Sequence, residues 1–206
     1  MTVATEGTYK VDNSGVVTFT TVLEYNGTAT AVNYTVNDDD GLTSNIATIT
    51  VTVTDVNDAP VANNDSISTA EDTPVSLTVT TNDTDVDGTI DVATVDLDPA
   101  TTGIQTTFTV ANEGTYTVDN SGVVTFTPVL DFNGTATAVN YTVNDNGGLT
   151  SNIATITVTV TDVNDAPIAN NDSISTAEDS PLSLHVTTND TCLFYKSPSP
   201  LHTQKP

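Results

Sequence analysis

The chain reads as an all-β protein built from β-sandwich units in tandem. Three observations predict this. A block of sequence returns at an offset of 107 residues, long runs alternate Val or Ile with Thr, and Gly, Asn and Asp cluster between those runs. Alternation with period two is the mark of a strand with one buried face. Gly, Asn and Asp at the gaps mark turns. No segment shows sustained helical periodicity.

The repeat sets the domain frame. Glu6-Gly7-Thr8-Tyr9 returns as Glu113-Gly114-Thr115-Tyr116, and the match runs without a gap from Thr2/Thr109 to Thr84/Thr191. Over those 83 aligned positions there are eleven differences, most of them mild, such as Glu24/Asp131 and Tyr25/Phe132. A clean long period means a domain array. An immunoglobulin-type sandwich takes about 100 residues, so one period fits one domain. The complete unit is expected at 61–167. Residues 1–60 match only its second half, as the C-terminal half of a truncated repeat. Residues 168–191 match only its opening strands, and 192–206 form a tail of foreign composition, expected to be a frameshift, truncation or assembly junction, the alternative being a genuine short tail. The chain is therefore expected to begin in mid-domain.

Within the complete unit the expected strands follow in order. Residues 66–70 come first, then 75–81 with Val75, Leu77 and Val79 on one face. Residues 90–97 carry Ile90, Val92, Val95 and Leu97 as apolar points. Weaker runs lie near 106–110 and 114–118. Asp119-Asn120-Ser121-Gly122 is a short hairpin turn, after which Val124 and Phe126 alternate with Thr. Val139, Tyr141 and Val143 form the next run. The last and longest has Ile156, Val158 and Val160 inward and Thr155, Thr157, Thr159 and Thr161 outward. A wet Thr face predicts antiparallel sheets packed on one side.

Charge excludes several functions. The 206 residues hold 27 acids and three bases. Two of the bases, Lys196 and Lys205, lie in the acid-free tail, so residues 1–191 set 27 acids against Lys10 alone, a net of −26. Such a surface repels nucleic acid and anionic membranes and attracts cations. No run approaches the ~20 apolar residues of a membrane span, and no signal peptide is visible. The single cysteine, Cys192, allows no internal disulfide. A domain outside the cell then needs another staple, and metal is the usual alternative. Catalysis reads poorly. The two histidines, His185 and His202, have no nucleophile beside them, and there is no Trp for a sugar platform.

Four acidic clusters punctuate the complete unit: Glu71-Asp72-Thr73-Pro74, Asn82 to Gly88, Asn144-Asp145-Asn146-Gly147-Gly148 and Asp162-Val163-Asn164-Asp165. The last belongs to the hexapeptide Asp55-Val56-Asn57-Asp58-Ala59-Pro60, repeated verbatim as Asp162 to Pro167. Calcium takes six to eight oxygens from carboxylates, amides and carbonyls, and short Asp and Asn stems supply them. Asp85 and Asp87, two apart on an extended segment, can face one cation. Asp83 opens a stretch resembling an EF-hand loop. Its twelfth residue is Thr94 rather than an acid, so an EF-hand is rejected, though Asp83 stays among the candidate ligands. Each cluster alone is readable as a polar turn; four together favour metal.

The hexapeptide resembles the cadherin interdomain linker, and the whole unit is similar to the cadherin-like tandem-95 repeats of large bacterial surface proteins. The resemblance covers residues 2–191 and implies a cadherin-like Greek-key sandwich with calcium (Ca2+) at the joints. It implies ligands Asp55, Asn57, Asp58, Asp85, Asp87 and Asp145 at the first joint. At the second it implies Glu71, Asp131, Asp162, Asn164 and Asp165. The chain departs from the family pattern where Asp131-Phe132-Asn133 lacks its Glu, and where Cys192 and Phe194 stand in place of a following Asp-x-Asp. The first joint is therefore expected to be the better site, with fewer calcium ions per joint than in animal cadherins. The implied function is a non-enzymatic calcium-binding segment of a secreted or cell-surface protein, adhesive or stalk-forming. Its partners would be neighbouring repeats and a surface protein or glycan, with no nucleic acid and no membrane insertion. The alternatives are a carbohydrate-binding or spacer module of a secreted hydrolase, or a gene fragment without function.

Overall fold

A computed structural model describes residues 1–191; the expectations for Cys192, Phe194, Lys196, His202 and Lys205 lie outside the described residues. The first part of the chain forms β1 (Thr2–Val3), β2 (Gly7–Val11), β3 (Val17–Thr21), β4 (Gly27–Thr28), β5 (Val32–Tyr34), β6 (Ala47–Ile49) and β7 (Thr52–Val53). The middle forms β8 (Asp65–Ala70), β9 (Val75–Thr78), β10 (Ile90–Asp96), β11 (Thr107–Val110), β12 (Gly114–Val118), β13 (Val123–Pro128), β14 (Gly134–Thr135), β15 (Val139–Asp145) and β16 (Ala154–Thr161).

The middle strands build a two-layer sandwich. One sheet has the order β10-β15-β16-β14, with β8 also on β16; the other has the order β11-β12-β13-β9. The chain crosses between layers after β8, β9, β10 and β13, so each layer draws strands from both ends of the unit. Inward residues of both sheets meet in one core. Val95, Val139, Tyr141, Val143, Ile156, Val158 and Val160 come from the first sheet, and Tyr116, Val124 and Phe126 from the second. The Thr residues between them in β13 and β16 stay half-buried or exposed on the outer faces, while Thr142 in β15 is buried; in β13 and β16 the alternation in the sequence translates directly into layers. Tyr116 tilts against Phe126 at a centroid distance of 4.6 Å. That ring lies over Gly114, where a Cβ would meet Phe126 at 2.6 Å and the Thr127 carbonyl at 2.5 Å.

Two expectations change. The sheets are not wholly antiparallel: β8 runs parallel to β16 from Asp65↔Ile156 to Ala70↔Thr161. First and last strands share no hairpin, so nothing local fixes their relative direction. Residues 79–81 form a 3-10 turn rather than the end of a strand. The Thr81 hydroxyl donates to the Thr78 carbonyl at 2.8 Å, closing the turn, while Val79 keeps its expected place in the core. The Asp119 turn is as expected, its Oδ1 accepting from Ser121 N and Val123 N.

Identical sequence does not give identical structure elsewhere. Residues 47–54 have the same eight residues as β16, yet they divide into β6 and β7. Tyr34 and Val36 are 47% and 60% exposed, whereas their copies Tyr141 and Val143 are fully buried. Residues 172–177 repeat β8 letter for letter and form no strand. What survives in the first part is local: Tyr9 tilts on Phe19 at 4.5 Å, and β1-β2-β3 form one sheet.

Ile156→Ala is therefore expected to lower stability by about 2–5 kcal/mol, as a buried large-to-small change does. Ile49→Ala, at the same place in the same eight residues, should cost less than about 1 kcal/mol. Urea unfolding of the two variants checks the contrast.

Candidate functional site

The joint is placed by backbone locks on either side of Pro60, which is itself fully buried. Val61 and Thr84 exchange backbone hydrogen bonds of 2.7 and 3.0 Å. The Asn152 side chain grips Ala62 from both ends, its Oδ1 accepting from Ala62 N at 3.0 Å and its Nδ2 donating to Ala62 O at 2.8 Å. Thr155 N donates to Asn64 Oδ1 at 2.9 Å. Pro60 removes a donor where the ladder would otherwise continue, and the residues after it are stitched to the sandwich. That holds Asn57 and Asp58 over the loops that follow the 3-10 turn at residues 79–81 and β15.

At this first joint Asn57 Nδ2 donates to Asp145 Oδ2 at 2.5 Å. Asn57 sits over Gly147, where a Cβ would meet its Oδ1 at 2.5 Å, so a side chain at 147 would displace it. Asp58 N donates to Asp87 Oδ2 at 3.1 Å, and Asn26 Nδ2 donates to Asp55 Oδ1 at 2.7 Å. Asp85 Oδ1 accepts from Gly88 N at 2.9 Å; its Oδ2 is buried with no hydrogen-bond partner. The carboxylates feel one another. Repulsion from Asp58 pushes Glu24 up from its ordinary value, with burial and with Asp87 and Asp55 adding to it. Burial pushes Asp87 up; the Asp58 N–H offsets part, and Asp55, Asp58 and Asp85 push it further. Asp145 goes the other way. Burial acts to raise it, but the Asn57 amide and the N–H groups of Leu149, Gly148 and Gly147 together hold it below the usual carboxylate range.

The second joint repeats part of this. Val163 N donates to Glu71 Oε1 in a short hydrogen bond, and Asn133 Nδ2 donates to Asp162 Oδ1 at 3.3 Å. Burial pushes Asp131 up, and Asp72, Asp165 and Glu71 push it further. Asn164 is not drawn in; its amide donates only to the Asp165 carbonyl. Asp83 belongs to neither joint. Its carboxylate accepts from Asn63 N at 2.7 Å and from the buried Tyr141 hydroxyl at 3.1 Å, so it serves the sandwich interior.

Sequence reasoning passed over several groups at these sites. Glu24 lies at the first joint where its copy Asp131 lies at the second, both with left-handed backbone at φ 59°. The 107-residue offset pairs them, and that was the available signal. Asn26 was missed in the same way; Asn133 and Asp72 were named within their motifs but not counted among the ligands. Asp65 was missed too, although it occupies the inward phase of β8 ahead of Ile67. Its Oδ2 is buried without a partner. Burial pushes its carboxyl up to about 6; the Tyr141 hydroxyl offsets part of this and Asp83 adds to it.

Among the described residues no group of three or more Asp, Glu, His or Cys side chains closes to metal-binding distances. At the first joint an amide and a backbone N–H stand between carboxylates, as the hydrogen bonds above show. The donor chemistry nonetheless fits a hard cation: short carboxylates and amide oxygens, mutual repulsion, one buried oxygen without a partner, and no base but Lys10 in residues 1–191.

The family model of the bacterial cadherin-like domain matches residues 57–162, just over half the chain. The chain belongs to the bacterial cadherin-like domain family. Residues 1–53 match the repetitive domain of the surface adhesin CshA. No curated protein matches the chain. Among solved structures it is similar to the extracellular cadherin domains 1-4 of protocadherin gamma B7, at 21% identity and a TM-score of 0.46 over 84% of this chain. That alignment spans 44% of the protocadherin chain. It is also similar to chicken VE-cadherin EC1-2, at 22% identity and a TM-score of 0.38, covering 75% of this chain and 78% of that one. No helix among the described residues is long and apolar enough to cross a membrane.

Burial of Asp65 in this cadherin-like fold has a consequence for pH. A carboxyl raised to about 6 in the fold binds its proton more tightly there than in the unfolded chain, where Asp titrates near about 3.9. Its share of stability is therefore full below about pH 4 and is lost as pH rises through about 6. The urea midpoint is expected to fall between about pH 5 and pH 7.5. Asp65→Asn should flatten that fall, while Asp172→Asn, the same residue in the exposed copy, leaves it unchanged.

Proposed function

We propose that this chain is a calcium-binding cadherin-like segment of a secreted or cell-surface modular protein, acting in adhesion or as a calcium-stiffened stalk. One observation carries the reading. Glu24, Asp55, Asp58, Asp85 and Asp87 converge at the first joint closely enough that Asp58 raises Glu24 and that Asp55, Asp58 and Asp85 add to the burial that raises Asp87, and no basic side chain among the described residues answers them. Calcium supplies the missing positive charge when bound. Asp55, Asn57, Asp58, Asp85, Asp87, Asp145 and Glu24 are the residues that would hold it. Glu71, Asp131, Asp162 and Asp165 would hold it at the second joint. Asn26 and Asn133 steer Asp55 and Asp162 by donating to them, and Gly147 keeps room for Asn57.

The proposed division is a complete repeat at 61–167, with partial copies at 1–60 and 168–191. The adhesin-repeat match of residues 1–53 supports placement at a cell surface, and the two matched families are structural modules rather than catalytic ones, which supports a non-enzymatic role. Neighbouring repeats are the first partners of such a segment; a surface protein or glycan is the second.

Calorimetric titration of the whole chain, with the melting temperature followed in parallel, tests the reading. Extracellular modules bind calcium with Kd of roughly 10⁻⁴–10⁻³ M. Linkage at about 10 mM calcium then adds about 1.4–2.7 kcal/mol, or roughly 4–8 °C per kcal/mol for a domain of this size. Asp85→Ala and Asp58→Ala should each remove most of the gain, and Glu71→Gln less of it. No saturable heat up to about 10 mM calcium would place the acids as turn formers and solubilising charge.

A further inference from the structure

Asn-Gly occurs three times in the chain, as Asn26-Gly27, Asn133-Gly134 and Asn146-Gly147. The pair is chemically distinctive. Glycine has no Cβ to shield its backbone nitrogen, so that nitrogen can reach the side-chain carbon of the preceding Asn. The fold treats the three pairs differently.

Asn26 and Asn133 occupy the same place in the 107-residue repeat, one at each joint. Both are exposed, as are Gly27 and Gly134. A Cβ built on either glycine would meet no atom of a non-adjacent residue within 4 Å, so water has open access. The Asn133 amide is held only at long range, donating to the Asp131 carbonyl at 3.4 Å and to Asp162 Oδ1 at 3.3 Å. The Asn26 amide donates to Asp55 Oδ1 at 2.7 Å. Gly27 and Gly134 each open a strand of two residues, opposite Val53 and Val160. The end rung of so short a strand opens at little cost.

Asn146-Gly147 is locked. Asn146 N donates to the Thr89 carbonyl at 2.9 Å, and Thr89 N donates to Asn146 Oδ1 at 3.0 Å. The Gly147 N–H donates to the Asp145 carboxylate, and the Asn57 side chain lies over the glycine. A nitrogen bonded to a carboxylate gives up its proton reluctantly, and an amide pinned on Thr89 does not turn towards it.

We propose that Asn26 and Asn133 are sites of spontaneous deamidation, by which each joint acquires one further carboxylate as the protein ages. The deprotonated Gly134 nitrogen attacks Asn133 Cγ. A new N–Cγ bond forms, the Cγ–Nδ2 bond breaks, and the amide leaves as ammonia after taking a proton from water. Water then opens the cyclic imide at either carbonyl, giving aspartate or isoaspartate. The sum is amide plus water to acid plus ammonia, with no change of oxidation state. Gly27 and Asn26 react in the same way. The product loses the N–H that steered Asp162 or Asp55 and sets a like charge beside it.

None of this rests on calcium, and the test is run with a chelator present. The whole chain is incubated in mildly alkaline buffer, digested, and mapped by mass spectrometry. Conversion at Asn133 and at Asn26 should run about tenfold faster than at Asn146, the effect of a single hydrogen bond to a charged group. In urea the three rates should converge, because each pair then lies in open chain. The variant carrying Asn26→Asp and Asn133→Asp should elute from an anion exchanger with the chain converted at both joints. Conversion at Asn146 as fast as at either joint of the folded chain overturns the proposal. So does an Asn133 that stays intact while the chain in urea is consumed.

Discussion

The parallel pairing of β8 with β16 is the contact on which the sandwich depends. β16 is the hub of its sheet, holding β15, β14 and β8 at once. It buries Ile156, Val158 and Val160 under them. The same eight residues at 47–54, without a β8 beside them, break into two short pieces, and the β8 sequence at 172–177 has no strand at all. Strand formation here is a property of the pair rather than of either sequence, as expected where β-propensity reflects packing more than backbone preference. The locks around Pro60 follow from this ladder. Tyr141 is buried beneath it with its hydroxyl 2.9 Å from the Asn63 carbonyl oxygen, and Asn152 just before β16 holds Ala62.

Electrostatics then decides what the joint can be. A cluster of carboxylates normally recruits Lys or Arg, and residues 1–191 hold only Lys10. Backbone N–H groups and Asn amides answer some oxygens, as Asn57 does for Asp145 and Asp58 N does for Asp87. They bring no net charge. The residual repulsion shows in Glu24, which Asp58 pushes up, and it adds to the burial that raises Asp87 and Asp131. Three relieving responses are open to such a site: take up protons, spread apart, or bind a cation. The paired amides keep the segment in place while leaving that choice to the solution.

Much of the fold was legible because Thr and Val alternate so regularly. The long strands and the inward faces of β13, β15 and β16 follow from period two alone, and the Asp119 turn from its Asp-Asn-Ser-Gly residues. Strand direction did not, since alternation is the same for parallel and antiparallel neighbours. The Val79–Thr81 turn was read as strand because Val79 continues the apolar phase of Leu77, while the Thr81 hydroxyl that closes the turn leaves no mark on that phase. β14, two residues long, is too short to carry a pattern. The site was legible as a composition and partly as a set of residues. Glu24 escaped because its pairing with Asp131 was read only as a mild difference between repeats, and the ligand role given to Asp131 was not carried back to it. Asp83 was grouped with its acidic neighbours, although it faces Tyr141. Identical copies that fold differently could not be told apart from sequence by any reading, because the difference lies in which partner is present.

The parallel ladder also determines how the unit meets mechanical load. β8 is the first strand after one joint and β16 is the last before the other, and they run side by side in the same direction. Tension applied through Pro60 and Asp162 pulls them past each other along their length. All six rungs between Asp65–Ala70 and Ile156–Thr161 then share the force at once. An antiparallel pair pulled from adjacent ends would instead open one rung at a time, like a zipper. A string of such units resists extension in shear, and the Val and Ile side chains locked beneath β16 must leave the core before the first rung can slip.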